Sequence, residues 1–279
     1  MNITIIGCGY VGTALANFWH HQQGHQVTAT TTTQERVAKL KEVASQVVVM
    51  KGDDTQGMQS ALIDQDTIVL SIAPISNRQV DANFYEATYI PTASNLVAAL
   101  ADNPNVKQVI YLSSCAVYGN QEGAWVDENS PIVPANEHGR VLSLTEHILL
   151  GASSEERNVC ILRLGGIYGP GRELSKRFER LAGTTLPGSG DNFINWIHRD
   201  DIVQAVEFAR RNRCQGIYNL VNDLKLTTRE LTDQICDRYN LPKVLWDSSQ
   251  PNFRTNNARV HNRKLKVAGY ELIHAQTLI

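Results

Sequence analysis

Apolar residues along this chain fall into two alternating rhythms. Short runs rich in Val, Ile and Thr are separated by longer stretches with helical spacing, the signature of parallel βαβ units. The runs predict strands at 3–6, 26–31, 47–50, 67–72, 106–112, 159–164 and 217–221. Between them the spacing predicts helices over 11–21, closed by Gly24, over 34–43, and over 85–100 with Pro91 as a kink or break. Further helices are expected from His138 to about 150, over 201–211 behind Asp200 as N-cap, and over 228–237 capped by Thr227 or Thr228. Polar and glycine clusters sit just after the strands, at 7–12, 31–33, 53–54, 71–74, 113–114 and 165–166. A doubly wound sheet binds ligands at that end of its strands. The expected fold is therefore α/β, a Rossmann-like doubly wound parallel sheet with a small C-terminal substrate lobe. Residues 1–170 are assigned to the dinucleotide-binding domain, with 194–222 returning to it. Residues 171–193 and 223–279, richer in Arg, Gly, Pro and Asn, are assigned to the lobe.

Composition narrows the classes. The 279 residues are 42% hydrophobic and 19% charged, with a formal net charge of −2 and no long basic run, so no nucleic-acid partner is expected. The five cysteines are scattered, with no C-x-x-C and no zinc spacing, so neither a disulfide framework nor a metal centre is expected. The N-terminus does not read as a signal peptide, and no apolar run approaches the ~18 residues of a membrane helix. A soluble, cytoplasmic chain with no membrane partner is the expectation.

The first cluster, Gly7-Cys8-Gly9-Tyr10-Val11-Gly12, is G-x-G-x-x-G between a strand and a helix, with a second strand inside about 30 residues. Gly7 allows the tight turn, Gly9 lets a pyrophosphate approach the backbone, and Gly12 lets helix pack on strand. The helix N-terminus at Tyr10 and Val11 then faces the phosphates. At the end of the second strand an acidic residue would favour NAD. Thr31, Thr32 and Thr33 stand there instead, with Arg36 one turn on. Hydroxyls and a guanidinium suit a 2′-phosphate, so NADP is expected ahead of NAD. Asp53 is a candidate for the adenine side, or else a helix N-cap or loop residue, and Ser71 a candidate at the end of the fourth strand.

Several further motifs follow in order: Tyr111-Leu112-Ser113-Ser114-Cys115-Ala116-Val117-Tyr118-Gly119, the helix with Glu146, Leu162-Arg163-Leu164-Gly165-Gly166-Ile167-Tyr168-Gly169-Pro170-Gly171-Arg172, Ile197-His198-Arg199-Asp200-Asp201, and Gly216-Ile217-Tyr218-Asn219-Leu220. With the glycine loop they resemble the NAD-dependent epimerase/dehydratase family, the extended short-chain dehydrogenase/reductases, and in particular their atypical members. The resemblance implies a Rossmann-like domain with a small substrate lobe, oxidoreductase or epimerase/dehydratase chemistry on a small hydroxy or oxo substrate, such as a sugar nucleotide, and a possible homodimer through helices like those at 85–100 and 138–150. It puts Ser114, four residues before Tyr118, in the place of the catalytic serine or threonine.

The family's Tyr-x-x-x-Lys is absent. His138, 24 residues beyond Ser114, stands where the tyrosine is expected, and Leu142 replaces the lysine. A lysine lowers a tyrosine's pKa from ~10. A histidine starts near ~6.5 and needs no such help, but Leu142 cannot hold a ribose hydroxyl. Three readings follow: Ser114 and His138 form a variant catalytic pair; a lobe residue such as Tyr118, Tyr168 or His198 supplies the proton; or the protein is a catalytically silent NADP(H)-binding sensor or scaffold. Arg172 and Arg177 are candidates for an anionic substrate group or solvated loop residues, and Asp200 reads first as a cap.

Overall fold

The fold was analysed in a computed structural model, which describes residues 1–74, 81–252 and 256–276. Its main sheet has seven strands in the order Gly216–Leu220, Asn158–Leu164, Gln108–Ser114, Thr67–Leu70, Asn2–Ile6, Gln26–Thr31, Gln46–Val49. Numbered along the chain, that order is 3-2-1-4-5-6-7 read from the last-named strand, the doubly wound Rossmann arrangement. The registered pairs are parallel, with Ile5 beside Ala29 and Val69. Ile3, Ile5, Val27, Ala29, Ile68, Val69, Val109 and Ile110 are fully buried. Near-continuous burial of β-branched residues is what a parallel sheet covered on both faces requires.

Two compact units are present. The first comprises residues 1–113, 140–162 and 203–217, and the second residues 114–139, 163–202 and 218–279. In the second, Gly166–Tyr168 pairs in parallel with Trp196–His198, and Thr185–Pro187 with Leu245–Asp247. Asn120–Val126 pairs in parallel with Asn257–Val260, and Phe193–Ile194 antiparallel with Leu226–Thr227. Tyr168, Leu174, Phe178, Trp196, Leu231 and Ile235 form its core.

Several elements differ from the expected ones. The first helix is α-helical only over Tyr10–Asn17 and widens to a π turn over Phe18–Gln22, which buries Trp19 and lets its indole N–H reach Glu207. Residues 34–43 form a 3₁₀ turn, Gln34–Arg36, and one helical turn, Val37–Leu40. Pro91 neither breaks nor ends its helix, which is continuous over Ala82–Ala101. Tyr89, Thr92, Ala93 and Leu96 are buried, and that packing outweighs the ~3 kcal/mol a mid-helix proline costs. Helix Thr55–Leu62 has no counterpart among the expected elements; Asp54, not Asp53, caps it by accepting the Gly57 N–H. Asp200 is not an N-cap. Its helix begins at Arg199, and the Asp200 N–H donates to Nδ1 of His198 at 3.2 Å, so the histidine ring takes the capping role. Thr227 is the cap of helix Thr228–Arg238, in a capping box with Glu230.

Candidate active site

The glycine loop lies between the first and fourth strands, where the strand order reverses. Gly7 has φ +90°, and a Cβ there would come within 2.6 Å of the Ser71 carbonyl oxygen. A Cβ on Gly12 would lie 2.5 Å from the Gly7 carbonyl oxygen. Both positions are closed to any side chain. Gly9 is the opposite: it is exposed, and nothing lies within 4 Å of where its Cβ would stand. The first turn of the following helix carries no acidic residue, and no side chain caps it. An open glycine at the positive end of a helix fits a pyrophosphate. Val11 packs inward, and Tyr10 is half-buried.

The second strand holds this loop from beside. Thr30 Oγ1 accepts the Gly7 N–H at 2.9 Å. Arg36 donates to the Cys8 carbonyl at 2.6 Å and to Thr13 Oγ1 at 3.4 Å, so its guanidinium lies against the glycine loop and not in solvent. Thr31 is buried and Thr32 exposed. The Cys8 thiol is inert, pushed up to about 12 by burial against the smaller opposing effects of Thr30 and Arg36. Asp53 is exposed in the turn after the third strand.

The two serines ending strand Gln108–Ser114 have different partners. Ser113 donates to Glu146 at 2.5 Å in the buried interior. Ser114 accepts the Ala116 N–H at 3.2 Å, capping the 3₁₀ turn Cys115–Tyr118, and lines a cavity of about 380 Å³. An oxygen that accepts from the backbone keeps its own proton available to donate. Cys115, Gly165, Gly166, Asn195 and Trp196 continue the cavity wall. A Cβ on Gly166 would lie 2.8 Å from the Trp196 ring, which makes glycine necessary there. Arg177 lines the same cavity with its guanidinium 5.3 Å from the Trp196 ring centroid, so it belongs to the site and is not a free loop arginine. Asn195 is fixed by bonds to Ala258 and Val260.

His138 is half-buried, the second residue of helix Glu137–Leu150. Its neighbour Gly139 would put a Cβ 3.1 Å from the Ala116 carbonyl, and a Cβ on Gly119 would collide with the Val133 carbonyl at 1.9 Å. The start of this helix therefore abuts the turn that Ser114 caps. His138 itself is not part of the cavity lining. Leu142 is 3% exposed.

The other proton-donor candidates are committed elsewhere. Tyr118 donates to Asn219 at 2.8 Å and accepts from Arg163 at 2.9 Å; burial pushes its phenol up to about 12 although Arg163 opposes it. Tyr168 is buried, edge-on to Trp196 and His198. Burial first, and then His274, hold His198 below the usual histidine range. Sequence reasoning missed one charged group. Lys225 donates to the Asn222 carbonyl at 2.5 Å, and burial lowers its pKa to about 8 against the opposing pull of Asp223 and Cys115. No pattern around it marks it as half-buried.

Among the described residues no helix is long and apolar enough to cross a membrane. The fold is shared with a functionally unknown conserved protein from Silicibacter pomeroyi (22% identity, TM-score 0.78, 99% of this chain and 95% of that one). It is also shared with the dTDP-glucose 4,6-dehydratase DesIV from Streptomyces venezuelae, solved with NAD and TYD bound (21%, TM-score 0.79, 98% and 92%). Protein YeeZ of Escherichia coli K12 is 33% identical over 228 residues, 78% of this chain and 76% of that one. An undecaprenol-linked N-acetylglucosaminyl 4-epimerase of E. coli O157:H7 is 28% identical over 65% of this chain and 57% of its own. The profile of the NAD dependent epimerase/dehydratase family matches residues 3–220. With the strand order, the glycine loop and the Ser114 turn, these matches show that the chain belongs to that family.

Proposed function

We propose that this protein is an NADP(H)-dependent oxidoreductase or epimerase/dehydratase whose substrate is a small hydroxy or oxo compound of the sugar-nucleotide class. The observation that carries the reading is Ser114. It stands at a strand end in the wall of a cavity of about 380 Å³, while its neighbour Ser113 is tied to Glu146. Arg177, Asn195 and Asn256 line the same cavity and suit a polyhydroxylated, anionic compound. DesIV carries the name of a sugar nucleotide, dTDP-glucose, and the epimerase that of a diphosphate-linked sugar, which supports an anionic sugar compound.

When bound, the nicotinamide cofactor supplies the hydride exchange. Gly9 and the helix N-terminus would hold its pyrophosphate, and Thr32 with Arg36, at the end of the second strand, would take the adenosine ribose and its 2′-phosphate. Ser114 Oγ donates a hydrogen bond to the substrate's reacting oxygen. His138 gives or takes the proton at that oxygen, in the role of the missing tyrosine. Because His138 is outside the cavity lining, it reaches the substrate through a water or a ring rotation.

Turnover assays with NADPH and a panel of sugar nucleotides test the reaction, and fluorescence titrations test the cofactor. Ser114→Ala and His138→Gln should each lower kcat by about 10²–10⁴-fold with NADPH affinity unchanged. Full activity in both variants sinks the assignment. Arg36→Ala should weaken NADPH at least about tenfold and NADH less, since the bracing of the glycine loop is lost for both; tighter binding of NADH by the wild type overturns the NADP assignment. The buried Leu142 and the absence of His138 from the cavity lining favour a second reading, a silent NADP(H) sensor. NADPH binding without turnover of any substrate in the panel would select it.

A further inference from the structure

His198, Asp200 and His274 come from a short strand, the first turn of a helix and the C-terminal segment. Each offers a ligand atom, and these atoms all lie within 4.8 Å of one another. Asp200 Oδ2 is 3.7 Å from His198 Nδ1 and 3.9 Å from His274 Nε2, and the two rings lie 3.8 Å apart between centroids. All three residues belong to the second unit.

The scaffold behind them is rigid. His198 is 6% exposed and packs edge-on against Tyr168. Asp201, fully buried, accepts the Tyr270 hydroxyl at 3.3 Å, the Ile273 N–H at 2.6 Å and the His274 N–H at 3.0 Å. One carboxylate thus gathers the C-terminal segment and presents the His274 ring to its neighbour Asp200 and to His198. Asp201 is a positioning residue for this cluster.

We propose that His198, Asp200 and His274 form a binding site for a borderline divalent transition-metal ion, with Zn²⁺ as its reference ligand. Two imidazoles and one carboxylate are a donor set for zinc and its neighbours and a poor one for Mg²⁺ or Ca²⁺. With Zn–N and Zn–O lengths of about 2.0–2.2 Å, tetrahedral ligand atoms lie about 3.4 Å apart. The two separations from Asp200 need a few tenths of an ångström of closure, and the third at most about 1.4 Å. Rotation of the half-exposed His274 and Asp200 side chains supplies it. Coordination at His198 Nδ1 replaces the weak bond from the Asp200 N–H, and the fourth position is left to water. The ion would fasten the C-terminal segment to helix Arg199–Arg211.

The test uses the full chain, stripped with a chelator and titrated with Zn²⁺ against a chromophoric competitor. One Zn²⁺ per chain is expected, indifferent to Mg²⁺. A Co²⁺-substituted sample should show a tetrahedral ligand-field spectrum without thiolate charge transfer. His274→Ala keeps the backbone N–H that Asp201 holds, so its fold is retained. It should lose affinity at least about tenfold, the scale of loss when even an outer-shell partner is removed. Asp200→Asn should show the same loss. Zn²⁺ should raise Tm in the wild type and not in His274→Ala. No stoichiometric binding, or binding that both variants leave unchanged, overturns the site.

Discussion

At the scale of single residues, Lys225 is the outlier. Its ammonium loses hydration on folding, and Asp223 and Cys115 only partly compensate. A lysine with a folded pKa of about 8 against an ordinary 10.5 is charged at a cost in the native state. The sign follows: below about 8 the folded chain carries a partly desolvated charge that the unfolded chain keeps in water, so the penalty is full there. It fades as pH rises from about 8 to 10.5, where the unfolded lysine also deprotonates. The shift caps the penalty at about 3 kcal/mol. Lys225→Met should therefore stabilise the protein by about 1–3 kcal/mol near neutral pH. Urea denaturation of both proteins across that range should show the gain shrinking as pH rises. A gain that grows with pH would contradict the assignment.

At the scale of elements, the glycine loop separates packing from binding. Gly12 is in backbone contact with Gly7, and Gly9 opens to solvent. Gly12→Ala should destabilise the chain by about 1–3 kcal/mol, the cost of overpacking a closed site. Gly9→Ala meets no protein atom within 4 Å, so it should cost less stability than Gly12→Ala, the backbone at φ −76°, ψ −144° being its source of strain. It should still weaken NADPH, because the added methyl stands where the pyrophosphate approaches. Thermal melts and cofactor titration of the two variants check this. Equal NADPH affinity in Gly9→Ala would remove the loop from the cofactor site. Helix Ala82–Ala101 makes the complementary point, since its buried face carries it straight through Pro91.

At the scale of the molecule, chain segments far apart are tied by a few buried polar contacts. In the first unit Glu207 accepts from the Trp19 indole at 2.8 Å, across 188 residues, and from Arg210 at 2.8 Å. Burial alone would raise this carboxyl, but the bonds from Arg210 and Trp19 outweigh it and hold it below the usual 4.5. A depressed carboxyl adds stability that is complete above 4.5 and is lost as pH falls through the folded value. Glu207→Gln should be about 1–3 kcal/mol less stable at pH 7, the cost of disturbing a buried charge-assisted pair. The deficit should close in acid. Denaturation midpoints of both proteins at neutral and acid pH measure it, and a deficit independent of pH would exclude the carboxylate as its source.

Strands such as Gln26–Thr31 and Asn158–Leu164 were legible because buried parallel strands are written as local runs of Val, Ile and Leu. The glycine loop was legible because its six positions are contiguous, and Ser114 because it ends a strand in a recognisable turn. Short elements were not: the 3₁₀ turn at Gln34–Arg36 and the pairing of Asn120–Val126 with Asn257–Val260 depend on partners outside any local window. The same holds for side chains. Which of Ser113 and Ser114 is tied into the interior depends on Glu146, more than 30 residues on. That Arg36 folds onto the Cys8 carbonyl, that Lys225 is half-buried, and that His274 meets His198 are decided by three-dimensional packing. The sequence by itself determined the periodicity, the glycine loop and the family's turn, because these are encoded by neighbours in the chain. The tertiary structure alone decided which polar groups lose water and which partners they gain, because desolvation and long-range contact are properties of the folded surface and not of the order of residues.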